Sequence, residues 1–188
     1  MLGLKRGTVA LCPHEKAWET EAARTIQTLW AILGDAAADI QHVGSTAVPA
    51  ICAKPIVDIA VAARSFDRIL EKRPILEAHG FYYRPGKNIE NQELFACGSY
   101  YDGTGADQTH FIHVVPADSQ DWQDYLNFRD YLNAFPGAAK AYEALKLSLA
   151  AANPEDAGRE KYLAGKHAFV RETLLKAAEW ARLGKPVP

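Results

Sequence analysis

The sequence predicts an α+β fold: a mixed β-sheet with flanking helices, followed by a C-terminal helical tail. From residue 39 to residue 116, short β-branched and aromatic runs alternate with turn residues, a pattern typical of strands. After Pro116 the apolar residues recur every three or four positions, which indicates helices. The chain has 188 residues, enough for one domain with a buried core. We therefore expect a single domain over 1–188, made of an α/β core (8–116) and a helical extension (117–188).

One long helix and two strands are predicted before residue 63. Apolar residues three or four apart predict an amphipathic helix over 13–33, and Gly34 stands where a glycine commonly ends a helix. The runs 39–43 and 55–62 are short, β-branched and bounded by turn residues, so they predict strands. The apolar composition of the second run indicates a central, buried strand.

A divided helix and three further strands follow. Ser65 has the side chain of an N-cap for a helix over 65–79, which Pro74 is expected to kink or divide. The Pro85-Gly86 pair predicts a turn between two later strands. Two of the three strands alternate clearly enough to be antiparallel neighbours; the three cover 81–84, 93–101 and 108–115.

The tail is predicted to contain three helices. Helical spacing of the apolar residues covers 119–134 and 136–152. The segment Asn153-Pro154-Glu155-Asp156 then supplies an N-cap, a proline at the first helical position and first-turn acids. A last helix is therefore expected to run from this segment to about residue 183.

Composition excludes several classes of partner and site. The formal net charge is −2 and the 21 basic residues are spread along the chain, so we expect no long nucleic acid as a partner. No apolar run is long enough for a signal sequence or a membrane span, so we expect no membrane and a cytoplasmic location. Three widely spaced cysteines argue against a disulfide framework and a structural zinc site.

A Gly-Ser pair and a lone acid carry the chemistry of this sequence. Gly44-Ser45 follows one predicted strand, and Asp58 lies inside the next. A glycine lets backbone amides approach a triphosphate, a serine hydroxyl bonds a phosphate oxygen, and a strand carboxylate holds a divalent ion. Enzymes that transfer nucleotides use this layout. In the alternative, Gly44 serves only a turn and Asp58 is a hydrogen-bonded buried acid.

The longest motif resembles a known family. The segment HVGSTAVPAICAKPIVDIAV is similar to the signature of the GrpB-like family, and the likeness continues through WQDYLNFRDYLNAFPGAAKAYEALKLSLA and KYLAGKHAFV. The resemblance implies the nucleotidyltransferase fold that DNA polymerase β also has, so the expected mixed sheet is nucleotidyltransferase-like. Most members of the family have no determined function.

The resemblance also implies a site, and one part of it is missing. The larger superfamily has a Gly-Ser, then two acids separated by one residue, then a third acid on a later strand. Gly44 and Ser45 match the first element, and Asp58 matches one acid of the pair. Depending on the alignment, Ile56 or Ala60 stands where the other acid belongs. A two-metal site therefore lacks a ligand.

Histidines are the candidates to complete a metal site around Asp58. His110 and His113 lie on the strand where the third acid is expected, on opposite faces, so only one of them points towards Asp58. His42, just before the turn, is a further candidate. Such a set favours Mn²⁺, Zn²⁺ or Fe²⁺ over Mg²⁺. In the alternative, these histidines are packed or exposed side chains without a ligand.

Basic residues supply the candidate phosphate contacts. Pro55 restricts Lys54 to an extended backbone beside the turn. Arg129 is a forked donor that either reaches a phosphate or ties the tail to the sheet by a salt bridge. Tyr162 and Lys166 lie one turn apart on the last helix and are candidates with Lys146. The expected ligand-binding set is Gly44, Ser45, Thr46, Lys54, Arg129, Lys146 and Lys166.

The main functional hypothesis is nucleotide binding, with nucleotidyl transfer to an unknown acceptor. The ligand is a nucleoside triphosphate or a related phosphate-bearing small molecule with Mg²⁺ or Mn²⁺, and Asp58, Ser45 and His113 are the candidate catalytic residues. The alternative is a catalytically degenerate accessory or binding module, acting through a homodimer surface. A third hypothesis is a hydrolase with one metal ion, held by His42, Asp58 and either His110 or His113.

Overall fold

A five-stranded mixed sheet forms the centre of the structure, a computed structural model that describes residues 1–85, 91–153 and 159–186. The sheet order is β2-β3-β7-β5-β4, and a separate two-stranded sheet pairs β1 with β6. The strands are β1 (Leu4–Lys5), β2 (Ala37–Val43), β3 (Val57–Ala63), β4 (Tyr82–Tyr83), β5 (Glu93–Cys97), β6 (Asp107–Gln108) and β7 (His110–Pro116).

Helices flank the sheet and form the tail. They are α1 (Lys16–Leu33), α2 (Phe66–Glu71), α3 (Arg73–Ala78), α4 (Ser99–Asp102), α5 (Gln120–Ala134), α6 (Pro136–Ala152) and α7 (Arg159–Arg182). In the described part of the chain, no helix combines the length and the apolar character that crossing a membrane requires. The predicted α+β fold with a helical tail is confirmed.

The central pair of strands is parallel and its neighbours are antiparallel. β3 and β7 run parallel, with Asp58 opposite Phe111, whereas β2 and β5 pair antiparallel to β3 and β7 respectively. The sheet is therefore mixed, as predicted. Strand β3 lies between β2 and β7, which agrees with its apolar sequence.

The two faces of the sheet bury different side chains. Ile59 and Ile112 point to the face covered by α1, where they pack in one core cluster with Trp18 and Leu29. Alternate residues such as Ala60 point to the face covered by α5, in a second cluster with Val115 and Trp122. Since successive strand residues alternate between faces, each functional residue of β3 and β7 is assigned to one face by its position.

One predicted strand ends earlier in the structure than the sequence indicates. The strand predicted over 93–101 ends at Cys97, and a short helix, α4, follows. The reason lies at Gly98, where φ is +122° and a Cβ would collide with the backbone carbonyl of Asp107. The close approach of the two backbones and the positive φ of Gly98 end the strand and turn the chain. Local strand propensity does not reveal either feature.

Other differences concern short or bordering segments. The β1–β6 pair was not predicted, because strands of two residues show no period. The first helix begins at Lys16 rather than at residue 13. The helix predicted over 65–79 is divided as expected, and Pro74 lies in the first turn of α3. Two predicted signals, Gly86 and 154–156, lie outside the described residues.

A third apolar cluster holds the helical tail under the Gly-Ser turn. Val48 and Ile51, which follow the turn, are buried with Leu132 of α5 and Tyr142 of α6. Phe169 of α7 packs against the same cluster and stacks on Tyr142, with 5.2 Å between ring centroids. This cluster brings α6 and α7 next to the loop that leaves β2.

Gly44 makes the close approach that shapes the turn. Its φ of +70° and ψ of −168° fall in a backbone region that only glycine populates readily. A Cβ at this position would lie 2.5 Å from Asp58 Oδ2 and 3.0 Å from the Asp58 Cβ. The turn therefore rests directly against the carboxylate of β3, and no side chain fits between them.

We expect Gly44→Ala to lower the free energy of unfolding by about 3 kcal/mol, because it adds backbone strain and a clash with Asp58. Gly80→Ala is the matched control, since Gly80 has a φ of +84° but nothing within 4 Å of an added Cβ. The control substitution should lower the free energy of unfolding by about 1 kcal/mol. Urea unfolding measures both values, and an equal loss in the two variants would contradict the close approach.

Candidate functional site

The Gly-Ser turn presents its hydroxyls in two different directions. Residues Ser45–Ala47 form a single 3-10 turn directly after Gly44. The Thr46 hydroxyl lies 2.9 Å from His42 Nε2 and is buried, so it holds the turn together rather than facing a cavity. Ser45 lines a cavity, and its side chain lies near the phenol of Tyr142. Burial raises the pKa of Tyr142 to about 12, so this phenol stays protonated.

Asp58 and His113 form a contact in the wall of this cavity. Asp58 Oδ1 lies 3.2 Å from His113 Nε2, and both side chains line the cavity wall. The two residues belong to the parallel strands β3 and β7, and alternation places them on the same face. Of the two histidines proposed on this strand, His113 is the one that points towards Asp58.

A hydrogen-bond chain behind His113 sets its tautomer. The Tyr125 hydroxyl donates to Gln92 Oε1 at 3.2 Å, which turns the Gln92 amide nitrogen towards His113 Nδ1 at 2.8 Å. Since an amide nitrogen only donates, Nδ1 must accept, and Nε2 carries the proton that reaches Asp58. Sequence reasoning missed Gln92 and Tyr125, because their contacts span more than twenty residues and follow no local period.

His42 and His110 lie away from Asp58, on the α1 face of the sheet. His42 is opposite Ile59 in the β2–β3 ladder, and burial lowers its pKa to about 4. His110 Nε2 lies 3.3 Å from both Thr25 Oγ1 and Glu21 Oε1. Burial also lowers the pKa of His110. The alternating pleat thus places His42 on the face of the sheet opposite to Asp58.

The donors present do not fit a resident metal centre. Within residues 1–85, 91–153 and 159–186, no group of three or more His, Cys, Asp or Glu side chains is placed to hold a metal ion. Ile56, one of the two positions at which the resemblance implies a second acid, lines the cavity near Asp58. Asp58 Oδ1 already accepts a hydrogen bond from His113 Nε2. The two-metal arrangement and the three-ligand hydrolase site are therefore not assembled by these side chains.

Three lysines from separate parts of the chain converge on the cavity. Lys54, Lys146 and Lys166 line it together with Asp58, and its volume is about 310 Å³. Lys54 comes from the loop before β3, Lys146 from α6 and Lys166 from α7. We call this space, lined by Ser45, Lys54, Asp58, Lys146 and Lys166, the lysine chamber.

Tyr162 organises two of these lysines. Its ring is almost fully buried, with Lys54 Nζ 4.3 Å and Lys166 Nζ 4.8 Å from its centroid. Burial raises the pKa of the Tyr162 phenol, so it remains neutral between the two ammonium groups. Cation–π attraction thus supports two positive charges at one end of the chamber.

Burial disfavours the charged forms of Lys146 and Lys166. The Lys146 side chain is almost fully buried and donates to the Cys52 carbonyl at 2.6 Å. Its burial, together with the nearby positive charge of Lys166, lowers the pKa of Lys146 to about 8. Burial also lowers the pKa of Lys166, although the charge of Asp58 opposes this shift. Two cations are thus held where their charged forms are disfavoured.

Arg129 has a structural role in this arrangement. Its Nη1 donates to Gln41 Oε1 at 3.1 Å and to the His42 carbonyl at 3.0 Å, and its Nε donates to Asp130 at 2.8 Å. Asp130 also pairs with Lys185 beyond α7. Arg129 does not line the lysine chamber. Its guanidinium ties α5 to the end of β2 through hydrogen bonds to neutral acceptors, while its salt bridge stays within α5.

We expect His113 to be a single tautomer, protonated at Nε2, because Gln92 donates to Nδ1. Imidazole ¹⁵N NMR of the neutral ring measures this directly. Gln92→Leu should mix the two tautomers, since it removes the donor, while Gln123→Leu on the exposed side of α5 should leave the spectrum unchanged. An Nδ1-protonated ring in the wild type would contradict the network.

Comparison with known proteins agrees with this fold and places the chain in a family. A crystal structure of conserved protein GrpB from Enterococcus faecalis matches with a TM-score of 0.81 and 27% identity, covering 90% of this chain and 98% of that chain. The Cid1 poly(U) polymerase with MgGTP bound matches at a TM-score of 0.50 and 16% identity, over 75% of this chain and 44% of that one. This second likeness concerns the fold alone, which is that of nucleotidyltransferases.

Comparison of sequences finds a relative with higher identity than these two structures. The glutamate-rich protein GrpB of Alkalihalophilus pseudofirmus is 37% identical over 175 residues, which cover 93% of this chain and 98% of the relative. The family model described as GrpB protein matches residues 8–176. The match contains the Gly-Ser turn, Asp58 and all three lysines of the chamber. The chain therefore belongs to the GrpB family.

Proposed function

We propose that the protein binds a nucleoside triphosphate, or a related phosphate-bearing small molecule, in the lysine chamber. The observation that carries this proposal is the convergence of Lys54, Lys146 and Lys166 on one cavity beside the Gly-Ser turn. The fold, shared with the Cid1 poly(U) polymerase, is compatible with such a ligand.

The charge balance of the chamber favours a polyanion. Among the described lining residues, the ammonium groups of Lys146 and Lys166 face a single carboxylate, that of Asp58. Buried cations are normally paired with anions, because an unpaired buried charge lowers stability. In the described part of the chain, Lys146 donates to a neutral carbonyl and lies near another cation. A ligand with several phosphate oxygens would supply the missing negative charge and accept hydrogen bonds from the ammonium groups.

The Gly-Ser turn and Asp58 define the other end of the ligand. Ser45 offers a hydroxyl to a phosphate oxygen, and the absence of a side chain at Gly44 leaves the turn tight against β3. A divalent cation would arrive bound to the phosphates, as part of the substrate. Asp58 would contribute one carboxylate to that complex, oriented by the proton from His113 Nε2.

An accessory or binding module is the second candidate, and Ile56 is the observation that favours it. Ile56 is one of the two positions at which the resemblance implies a second acid, and its aliphatic side chain lines the chamber, so binding without transfer is chemically consistent. Measuring the release of pyrophosphate from a bound triphosphate distinguishes nucleotidyl transfer from an accessory role. Turnover that Asp58→Asn abolishes supports transfer, whereas nucleotide binding without turnover supports the accessory module.

We expect ATP, GTP, CTP or UTP with Mg²⁺ or Mn²⁺ to raise the melting temperature, because the ligand binds only the folded chain. At a ligand concentration of about 100 Kd the shift should be roughly 5 to 10 °C. Asp58→Asn should abolish the part of the shift that depends on the metal. Asp67→Asn, at an exposed position of α2, is the matched control and should keep it.

Variants of two lysines provide an independent test in the same experiment. Lys166→Gln should remove most of the shift, while Lys176→Gln should not, since Lys176 is exposed on the same helix and pairs with Glu172. If no triphosphate shifts the melting temperature of the wild type, the nucleotide proposal fails. A shift that survives in Lys166→Gln would place the ligand outside the lysine chamber.

We expect triphosphate binding to weaken as the pH rises from 7 to 9.5. The pKa of Lys146 is lowered to about 8, so the free protein loses this charge over that range, while the phosphates stay ionised. The dissociation constant should rise about tenfold, the usual value of one charge-assisted hydrogen bond. Titration calorimetry below pH 8 or near it should also detect proton uptake, because a bound phosphate raises the pKa of Lys146.

Lys146→Met separates this charge from the rest of the chamber. The variant should bind more weakly at pH 7 and show a smaller pH dependence, since an apolar side chain replaces the titrating one. Lys176→Met is the control and should leave both quantities as in the wild type. An affinity that does not change between pH 7 and 9.5 in the wild type would exclude Lys146 from the binding site.

A further inference from the structure

A second cavity adjoins the lysine chamber. Its volume is about 340 Å³, and its polar lining includes Arg6, Arg84, Tyr101 and Glu160; we call it the arginine chamber. Gln108, Phe111 and Leu163 line both spaces. Phe111 is the neighbour of Asp58 across the β3–β7 ladder. The two chambers therefore meet beside the strand position that carries Asp58.

Two consecutive tyrosines of α4 hold the arginines. The Arg6 guanidinium carbon lies 4.3 Å from the ring centroid of Tyr100, and Arg6 Nη1 donates to the Tyr100 hydroxyl. The Arg84 guanidinium lies 5.0 Å from the ring centroid of Tyr101. The two rings pack edge to face, with centroids 5.0 Å apart. Residues almost eighty positions apart in sequence are thus brought to one aromatic support.

In the lining that the structure describes, the arginine chamber has more cationic than anionic side chains. Among the ion pairs of the described residues, neither Arg6 nor Arg84 has a carboxylate partner. Glu160 is the one carboxylate among the described residues of the lining. A guanidinium donates through five N–H groups in a flat fork, and the ring contacts leave much of that capacity unused. This geometry suits a planar or tetrahedral anion.

The rest of the lining suits an apolar or aromatic body. Phe111, Leu94 and Leu163 supply apolar surface, and the Tyr101 ring lies among them. The Gln108 amide donates to the Tyr101 hydroxyl, which orients that ring. A ligand that fits therefore combines one anionic group with a flat apolar portion.

We propose that the arginine chamber is a second ligand subsite, which binds a small molecule with a carboxylate or phosphate on an aromatic or apolar body. The inference rests on the proposed function, because it places this second molecule beside a nucleotide in the lysine chamber. Arg6 and Arg84 bind the anionic group. Phe111 and Leu163, at the junction, contact the body of the ligand and direct it towards Asp58.

Titration calorimetry with phenyl phosphate and benzoate tests the subsite on the full chain. Arg84→Gln and Arg6→Gln should each weaken binding about tenfold, because each removes one charge-assisted contact. For benzoate, which carries no phosphate, Lys166→Gln in the lysine chamber should change the dissociation constant less than about threefold. Arg171→Gln is the matched control, at an exposed position of α7. Benzyl alcohol, which has the ring without the anion, should not bind.

The outcomes separate this inference from the nucleotide proposal. Tighter binding of benzoate assigns a carboxylate ligand, and tighter binding of phenyl phosphate assigns a phosphate ester. Binding that Lys166→Gln removes and the arginine variants preserve overturns the subsite, as does the absence of binding for both probes. Binding sensitive to Arg84 in a chain that no triphosphate stabilises would instead refute the nucleotide proposal and leave the subsite standing.

Discussion

The close approach between Gly44 and Asp58 is the constraint on which the rest of the site depends. The turn after β2 lies so near the carboxylate of β3 that no side chain fits between them. Because of this contact, Ser45 and Asp58 face the same cavity although thirteen positions separate them in sequence. The loop that leaves the turn then buries Val48 and Ile51 against α5 and α6, which brings the helical tail over the site.

The alternating pleat of the sheet decides which polar residues meet. His113 shares a face with Asp58, while His42 and His110 lie on the α1 face among other partners. The carboxylate is thus left with one imidazole neighbour and several cations contributed by loops and helices. This composition differs from a carboxylate-rich metal centre, and it is the basis of the proposal that the ligand is an anion.

Local patterns predicted most of the elements, and the reasons for the exceptions are physical. The helical period was strong in α1, α5 and α6, whereas β1 and β6 have two residues each and show no period. Gly98 ended a strand through a backbone contact with Asp107, which lies in another segment. For the site, the turn, Asp58 and the three lysines were predicted as candidates. Gln92 and Tyr125 were not, since their bonds to His113 depend on how α5 packs on the sheet.

By itself, the sequence determined the types of element, the glycine at the turn, the acid inside β3 and the fact that His110 and His113 oppose each other across the sheet. Those properties follow from backbone geometry over a few residues. The tertiary structure alone decided that His113 faces Asp58, that Arg129 ties α5 to β2, and that lysines from a loop, α6 and α7 share one chamber. These contacts join distant segments, and packing of the core rather than any local period brings them together.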